Sequence, residues 1–196
     1  MARVHIPDGV MEFPQNYVFR TYAGAIGAAA DNFSRAVYEH TKLSLREMEA
    51  ARYRTALING CLLCKAARAG RDFDEYLPSS DKPLERAMSR RGPKPTEQFY
   101  ETIALGSWRD SSAFTSRERL AIEYAERLGE RPQSMQGDEE FWASMREHFS
   151  DAEVVDLTLS TVSWIAIGRA AHALEVDAVC LPTKEPVSGL QVNSGH

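Results

Sequence analysis

The sequence contains little of several features that define common protein classes. Its 196 residues include three cysteines and five scattered histidines. No stretch approaches the roughly 18–20 apolar residues that span a membrane, and no run of β-branched residues alternates with a period of two. We therefore expect neither a membrane segment nor a β-sheet.

The chain also lacks an excess of basic charge. Its net charge of −5 argues against a surface that binds nucleic acid. Residues 1–14 contain no apolar segment of the kind found in secretory signals. Three cysteines in such a chain favour a reducing, cytoplasmic setting, in which a C-x-x-C pair is more often catalytic than structural.

Helix signals, in contrast, are frequent. Capping boxes, in which Ser or Thr is followed three residues later by Glu, predict three helix starts: Ser44 with Glu47, Thr115 with Glu118, and Ser150 with Glu153. Asn59-Gly60 ends the first of these helices, Gly129 is placed to end the second, and the third runs to about Leu174. Further patterns predict helices over 16–40, 81–88, 96–108 and 138–149. The first is interrupted at Gly24 and Gly27 and has Phe33, Val37 and His40 on one face. The helix within 96–108 carries Phe99, Ile103 and Leu105.

These patterns predict an all-α fold with a single domain over 1–196. The helical core covers about 15–176, and 1–14 and 181–196 are extended arms. The polar connection 70–95 is long enough to be either a lid over a site or a solvated surface excursion.

The helix that follows Ser150 is apolar on several faces, through Val154, Val155, Leu157, Leu159, Val162, Trp164, Ile165 and Ile167. Such a helix is buried on all sides, so we expect it at the domain centre or at a subunit interface. One chain of this length need not cover it alone, and we therefore predict a homo-oligomer.

The stretch 49–68 carries the clearest chemistry. The helix break at Asn59-Gly60 lets Cys61 open a second helix, with Cys64 one turn later. Thiols near a helix N-terminus are favoured as thiolates, and this spacing allows a disulfide on one turn. The pair is interpreted as a redox or metal site, or alternatively as two small buried apolar residues. We expect Cys61 and Cys64 to pair under mild oxidation and Cys180 to stay free.

Metal is the weaker interpretation. Structural zinc requires four ligands, usually supplied by a second C-x-x-C or a pair of histidines. Cys180 stands alone and no second ligand pair is present in the sequence. We predict no metal and no cofactor.

The pattern E-x11-C-x2-C in a helix–break–helix setting resembles the alkylhydroperoxidase D / carboxymuconolactone decarboxylase superfamily. The segments 115–128 (TSRERLAIEYAERL) and 141–170, which includes EHFSDAEVV, resemble later helices of that family. The similarity covers about 15–176. It implies an assembly of trimers, hexamers or dimers, and a proton relay that includes Glu49.

The chain departs from the peroxidase branch of that family at two positions. That branch has a histidine four residues after the second cysteine, where this chain has Arg68, and often one directly before it, where this chain has Leu63. Arg68 can stabilise a Cys64 thiolate but cannot shuttle protons near neutral pH. We therefore expect slow proton transfer to the leaving group.

The two lines of argument disagree on which thiol attacks. Helix-terminus electrostatics favour Cys61, whereas the resemblance implies that Cys64 is peroxidatic and Cys61 resolving. The terminus effect is about 0.3–1 kcal/mol and fades within a turn, and Arg68 adds a full charge one turn after Cys64. We therefore predict Cys64 as the nucleophile.

Glu49 has two interpretations. If the two helices pack, its carboxylate near the thiols acts as an acid or base; otherwise it is a surface residue beside Arg52 and Tyr53. Further candidates for a supporting or substrate-binding role are Tyr53, Arg54 and His172. His40 and His148 are expected to be structural.

Three functions remain open. The first is a thiol-dependent oxidoreductase that reduces hydroperoxides through Cys61 and Cys64 and is regenerated by a thiol reductant. The second is a lyase or decarboxylase acting on a small, aromatic-derived organic acid, whose carboxylate Arg68 or Arg54 would bind. The third is a non-catalytic oligomeric binding protein.

Overall fold

The computed structural model describes residues 2–10, 14–69, 71 and 92–177. These residues form seven α-helices and no β-strand, which confirms the all-α prediction. The helices are α1 (Pro14–His40), α2 (Leu45–Asn59), α3 (Leu62–Ala66), α4 (Glu97–Ala104), α5 (Ser116–Glu130), α6 (Glu139–His148) and α7 (Asp151–Ala173), with 3-10 turns at Ser107–Arg109 and Pro132–Met135. The predicted helix over 81–88, most of the 70–95 connection, Cys180 and the arm 181–196 lie outside the described residues.

All three capping boxes are present, at the starts of α2, α5 and α7. In each, the Ser or Thr hydroxyl accepts the amide of the Glu three residues on, and that Glu accepts the first residue's amide. These contacts are local, which is why the sequence located the helix starts accurately.

The central helix is α2, which packs against α3, α4, α5 and α7. Met48, Ala51 and Thr55, which recur at helical spacings of three and four, are fully buried. The other faces are covered as well, so the charged residues Glu49 and Arg52 are also buried. Buried charges must be paired to be tolerated, and the pairing of these two builds the site described below.

Glycine predictions need two corrections. Gly129 lies inside α5, which runs to Glu130 before Pro132 prevents its continuation. A Cβ at Gly129 would lie 3.3 Å from Cδ1 of Ile58, so the residue serves close packing of α5 on α2. Gly24 does kink α1, with φ of 41°, whereas Gly27 stays helical.

Two side chains that the sequence patterns group with inward-facing residues are exposed instead. His40 is solvent-exposed at the end of α1, whereas Val37 is buried. Leu105 follows the last turn of α4 and is 82% exposed, whereas Phe99 and Ile103 are buried. In both cases the helix ends near the residue, so its side chain leaves the packed face.

The last helix, α7, is long and apolar enough to cross a membrane by length and composition alone, although the sequence patterns predict no such segment. It packs against α1, α2 and α5 as a core helix, with Leu157 and Trp164 buried. One chain does not bury it on every side, because Val155, Leu159 and Val162 are 58%, 51% and 38% exposed. This exposed row is called the α7 stripe below.

The N-terminal arm packs on the end of α7. The amide of Arg3 donates to the carbonyl of Leu174 at 2.9 Å. Val4 and Ile6 contact a small apolar cluster that includes Ala171 and Val176. The arm therefore supports the chain just before Asp177, the last residue described.

Candidate functional site

Cys61 and Cys64 form a disulfide at the corner between α2 and α3. Gly60 makes the corner: it adopts the left-handed conformation, with φ of 72°, and caps α2. Cys61 is the N-cap of α3, and its sulfur accepts the amide of Cys64 at 3.1 Å. The predicted helix break is thus confirmed, and the two cysteines pair as their spacing allows.

A cavity of about 220 Å³ lies beside the disulfide, between α1, α2, α3 and α7. Cys64 lines this cavity, whereas Cys61 does not and is fully buried. The two cysteines therefore differ in access, and Cys64 adjoins space that a small molecule can fill.

One wall of the cavity comes from α1 and was not identified from the sequence. Asp31, Ser34, Arg35 and Tyr38 line it, at the i, i+3, i+4, i+7 spacing of one helix face. That polar stripe was the available signal. Arg20, from before the kink, also lines the cavity and lies 3.7 Å from Asp31. Burial raises the pKa of Tyr38 to about 12.

Glu49 is fully buried in α2 and accepts several hydrogen bonds. Arg52 binds both of its carboxylate oxygens, the Tyr100 hydroxyl donates to it at 2.5 Å, and the amide of Ala69 donates at 3.3 Å. Burial and the charge of Glu49 raise the pKa of Tyr100. Burial alone would lower the pKa of Arg52, but Glu49 raises it above its ordinary value. Arg52 therefore stays a cation although it is buried.

Arg52 joins this buried pair to the disulfide helix. Its guanidinium donates to the carbonyls of Cys64 and Ala67, each at 2.8 Å. These carbonyls are at and beyond the C-terminal end of α3, where a cation is favourable. Glu49 thus lies near the disulfide helix and beside Arg52, and the pair is in the interior rather than on the surface.

Arg68 also lines the cavity, over an aromatic pair. Its guanidinium carbon lies 3.9 Å from the ring centre of Tyr100 and 5.1 Å from that of Tyr53. It forms an ion pair with Glu97 at 3.1 Å and donates to the carbonyls of Lys65 and Ala67. Tyr53 therefore helps to hold Arg68 beside the cavity.

Arg54 and His172 are not in the cavity lining. Arg54 pairs with Glu126 at 2.8 Å and with Glu130 at 3.4 Å, toward α5. His172 lies over Gly60, and its Nδ1 is 3.1 Å from Oδ2 of Asp177. His148 contacts the carbonyl of Ser144 at 3.0 Å.

Tyr100 and Asp177 were missed by sequence reasoning. They are separated from the site by tens of residues, and no local pattern marks them. Tyr100 reaches Glu49 from α4, and Asp177 accepts the amide of Leu62 from beyond α7.

In the part of the chain that the structure describes, no group of three His, Cys, Asp or Glu side chains could hold a metal ion.

The fold is similar to that of a solved structure. A crystal structure from Agrobacterium tumefaciens superposes with a TM-score of 0.57 over 89% of this chain and 96% of that chain, at 20% identity. That molecule is a protein of unknown function, named as a candidate antioxidant defence protein, AhpD. At this identity the likeness supports an AhpD-like fold. No family model matches the chain, and no curated protein matches it either.

Proposed function

We propose that this protein is a dithiol–disulfide oxidoreductase of the alkylhydroperoxidase D type that reduces hydroperoxides. The observation that supports it is the Cys61–Cys64 disulfide whose Cys64 side lines a cavity of about 220 Å³. The AhpD-like fold is consistent with this proposal.

The proposed cycle uses both cysteines. The Cys64 thiolate attacks the terminal oxygen of the hydroperoxide, the O–O bond breaks, and the alkoxide takes a proton to leave as alcohol. Cys61 then attacks the Cys64 sulfenic acid, the S–O bond breaks, and water leaves as the disulfide forms. A dithiol reductant returns two electrons and two protons.

Access supports Cys64 as the attacking thiol. Cys61 is fully buried, whereas Cys64 lines the cavity. Arg68 lines the same cavity and supplies the positive charge proposed to stabilise the thiolate. Tyr53 and Tyr100 hold the guanidinium through ring contacts.

Glu49 contributes to the proposed site mainly through Arg52. Its carboxylate holds the guanidinium that binds the carbonyls of Cys64 and Ala67. A guanidinium does not release a proton at neutral pH, so Arg52 cannot carry a relay from Glu49. The contacts therefore favour positioning of α3 over the proton transfer that the family resemblance implies.

Proton supply to the leaving alkoxide limits the proposed turnover. Among the described residues, none of the side chains that line the cavity is an imidazole. Tyr38 has its pKa raised to about 12 by burial, which makes it a weak donor. We therefore expect slow peroxide turnover.

A second candidate is a lyase or decarboxylase acting on a small organic acid. The observation in its favour is that Arg20, Arg35 and Arg68 line the cavity, because guanidinium groups bind carboxylates well. Arg54, the other arginine that the sequence suggests for this role, faces α5 instead. In either case the proposed partners are a small-molecule substrate and further copies of this chain, in a cytoplasmic setting.

The test is peroxide reduction by the reduced protein. We expect one peroxide consumed for each Cys61–Cys64 disulfide formed, loss of this reaction in Cys64→Ser, and a trappable sulfenic acid in Cys61→Ser. Arg68→His should raise turnover, because the imidazole supplies the missing proton. If Cys64→Ser keeps peroxide turnover and Arg68→His leaves it unchanged, the proposed roles are wrong. Release of carbon dioxide from an aromatic acid would favour the second candidate.

A further inference from the structure

Asp177 lies against the N-terminal end of the disulfide helix α3. The residue that it contacts there is Leu62, 115 positions earlier in the chain. The contact forms because the chain beyond α7 folds back onto the start of α3, so it depends entirely on the tertiary structure.

The amides of the first three residues of α3 have no partner within the helix, and Asp177 accepts hydrogen bonds from two of them. Its Oδ2 accepts the amide of Leu62 at 2.8 Å, and its backbone carbonyl accepts the amide of Leu63 at 3.1 Å. The third amide, that of Cys64, donates to the sulfur of Cys61 at 3.1 Å. A carboxylate that is 3% exposed and the Cys61 sulfur therefore share one helix end.

This arrangement bears on which thiol ionises after reduction. A helix N-terminus normally stabilises a thiolate, which would favour Cys61. Here the amides of Leu62 and Leu63 are already satisfied, and a second negative charge beside a carboxylate is disfavoured. Asp177 thus offsets the thiolate stabilisation that the start of α3 would otherwise give Cys61.

The charges at the other end of α3 have the opposite sign. Arg52 donates to the carbonyl of Cys64, and Arg68 follows one turn later. The two cations are paired with Glu49 and Glu97 respectively, and Asp177 has His172 at 3.1 Å. The carboxylate therefore contacts α3 at Leu62, the neighbour of Cys61, whereas the Arg52 guanidinium contacts it at the carbonyl of Cys64.

We infer that Asp177 is a positioning residue that keeps Cys61 protonated and so makes Cys64 the attacking thiolate. The inference rests on the proposed dithiol function. It also removes the conflict between helix-terminus electrostatics, which favour Cys61, and the access of Cys64 to the cavity.

The test is the pKa of each thiol, measured through the ultraviolet absorbance of the thiolate in chains that also carry Cys180→Ser. With Cys64→Ser, we expect Asp177→Asn to lower the pKa of Cys61 by about half a pH unit or more. With Cys61→Ser, the same change should shift the pKa of Cys64 by less. Asparagine keeps an acceptor for the Leu62 amide, so the variant removes charge at nearly constant shape.

Controls separate charge from structure. Glu175 lies two residues before Asp177, and its carboxylate pairs with Arg3. Glu175→Gln removes that carboxylate and should leave both thiol pKa values unchanged. Asp177→Glu retains the charge and should keep the pKa of Cys61 near its original value. If Asp177→Asn does not fold, Asp177→Ser is measured instead. It also removes the carboxylate charge, so the pKa of Cys61 should fall, and an unchanged or raised pKa contradicts the inference.

Equal shifts at the two thiols, or no shift at Cys61, would overturn the inference. None of these measurements uses a peroxide. If the pKa shifts appear as expected but no peroxide is turned over, the proposed peroxidase function is contradicted and the inference about Asp177 stands.

Discussion

Arg52 donates a hydrogen bond to the carbonyl oxygen of Cys64 at 2.8 Å, so a buried ion pair in the central helix is joined directly to the disulfide helix. The same guanidinium binds the fully buried carboxylate of Glu49. Stability and the geometry of the site therefore depend on one pair of residues.

Loss of the Glu49 charge should destabilise the fold strongly. Glu49→Gln leaves Arg52 as an uncompensated buried cation, a change that costs about 3–5 kcal/mol in the free energy of unfolding. Chemical denaturation measures it. The matched control is Glu123→Gln, whose partner Arg127 is partly exposed and also pairs with Asp138, with an expected cost below about 1 kcal/mol. Equal effects of the two changes would contradict this prediction.

Gly168 should be intolerant of a side chain. A Cβ there would lie 2.5 Å from Nδ2 of Asn59, which donates to the carbonyl of Trp164. We expect Gly168→Ala to cost about 1–3 kcal/mol in unfolding free energy. Gly129→Ala is the control, because its Cβ would meet the end of the Ile58 side chain at 3.3 Å, and helix propensity offsets the contact. A smaller cost at Gly168 than at Gly129 would show that Asn59 moves aside.

The α7 stripe should lie in a subunit interface. Val155, Leu159 and Val162 are exposed in the single chain, at the spacing of one helix face. We expect an oligomer by light scattering at micromolar concentration, and a smaller species for Leu159→Glu. Leu105→Glu alters an equally apolar exposed residue outside the stripe and should leave the mass unchanged. A monomeric parent protein would refute the prediction.

Glu153 should make stability depend on acid pH. A hydrogen bond from Arg117 lowers the pKa of the Glu153 carboxyl from 4.5 to about 2. A carboxyl with a lower pKa in the folded chain stabilises the fold above its unfolded pKa, and this contribution is lost as the pH falls from about 4.5 toward about 2. We expect Glu153→Gln to be less stable than the parent at pH 6, with the difference vanishing near pH 2. Denaturation curves at both pH values test this; a constant difference would contradict it.

Local signals in the sequence determined much of the fold. The three capping boxes and the Asn59-Gly60 stop act within a few residues, so they placed the starts of α2, α5 and α7 and the corner before Cys61. The C-x-x-C spacing likewise predicted the disulfide, because both cysteines share one helical turn.

The tertiary structure decided what those residues contact. Glu49 meets Tyr100 of α4, Cys64 faces a cavity walled by α1, and Asp177 reaches α3 from beyond α7. These contacts join segments that are tens of residues apart, and a single sequence carries no local pattern for them. The sequence by itself therefore determined the helices and the reactive pair, whereas packing decided which cysteine is accessible and which charges surround it.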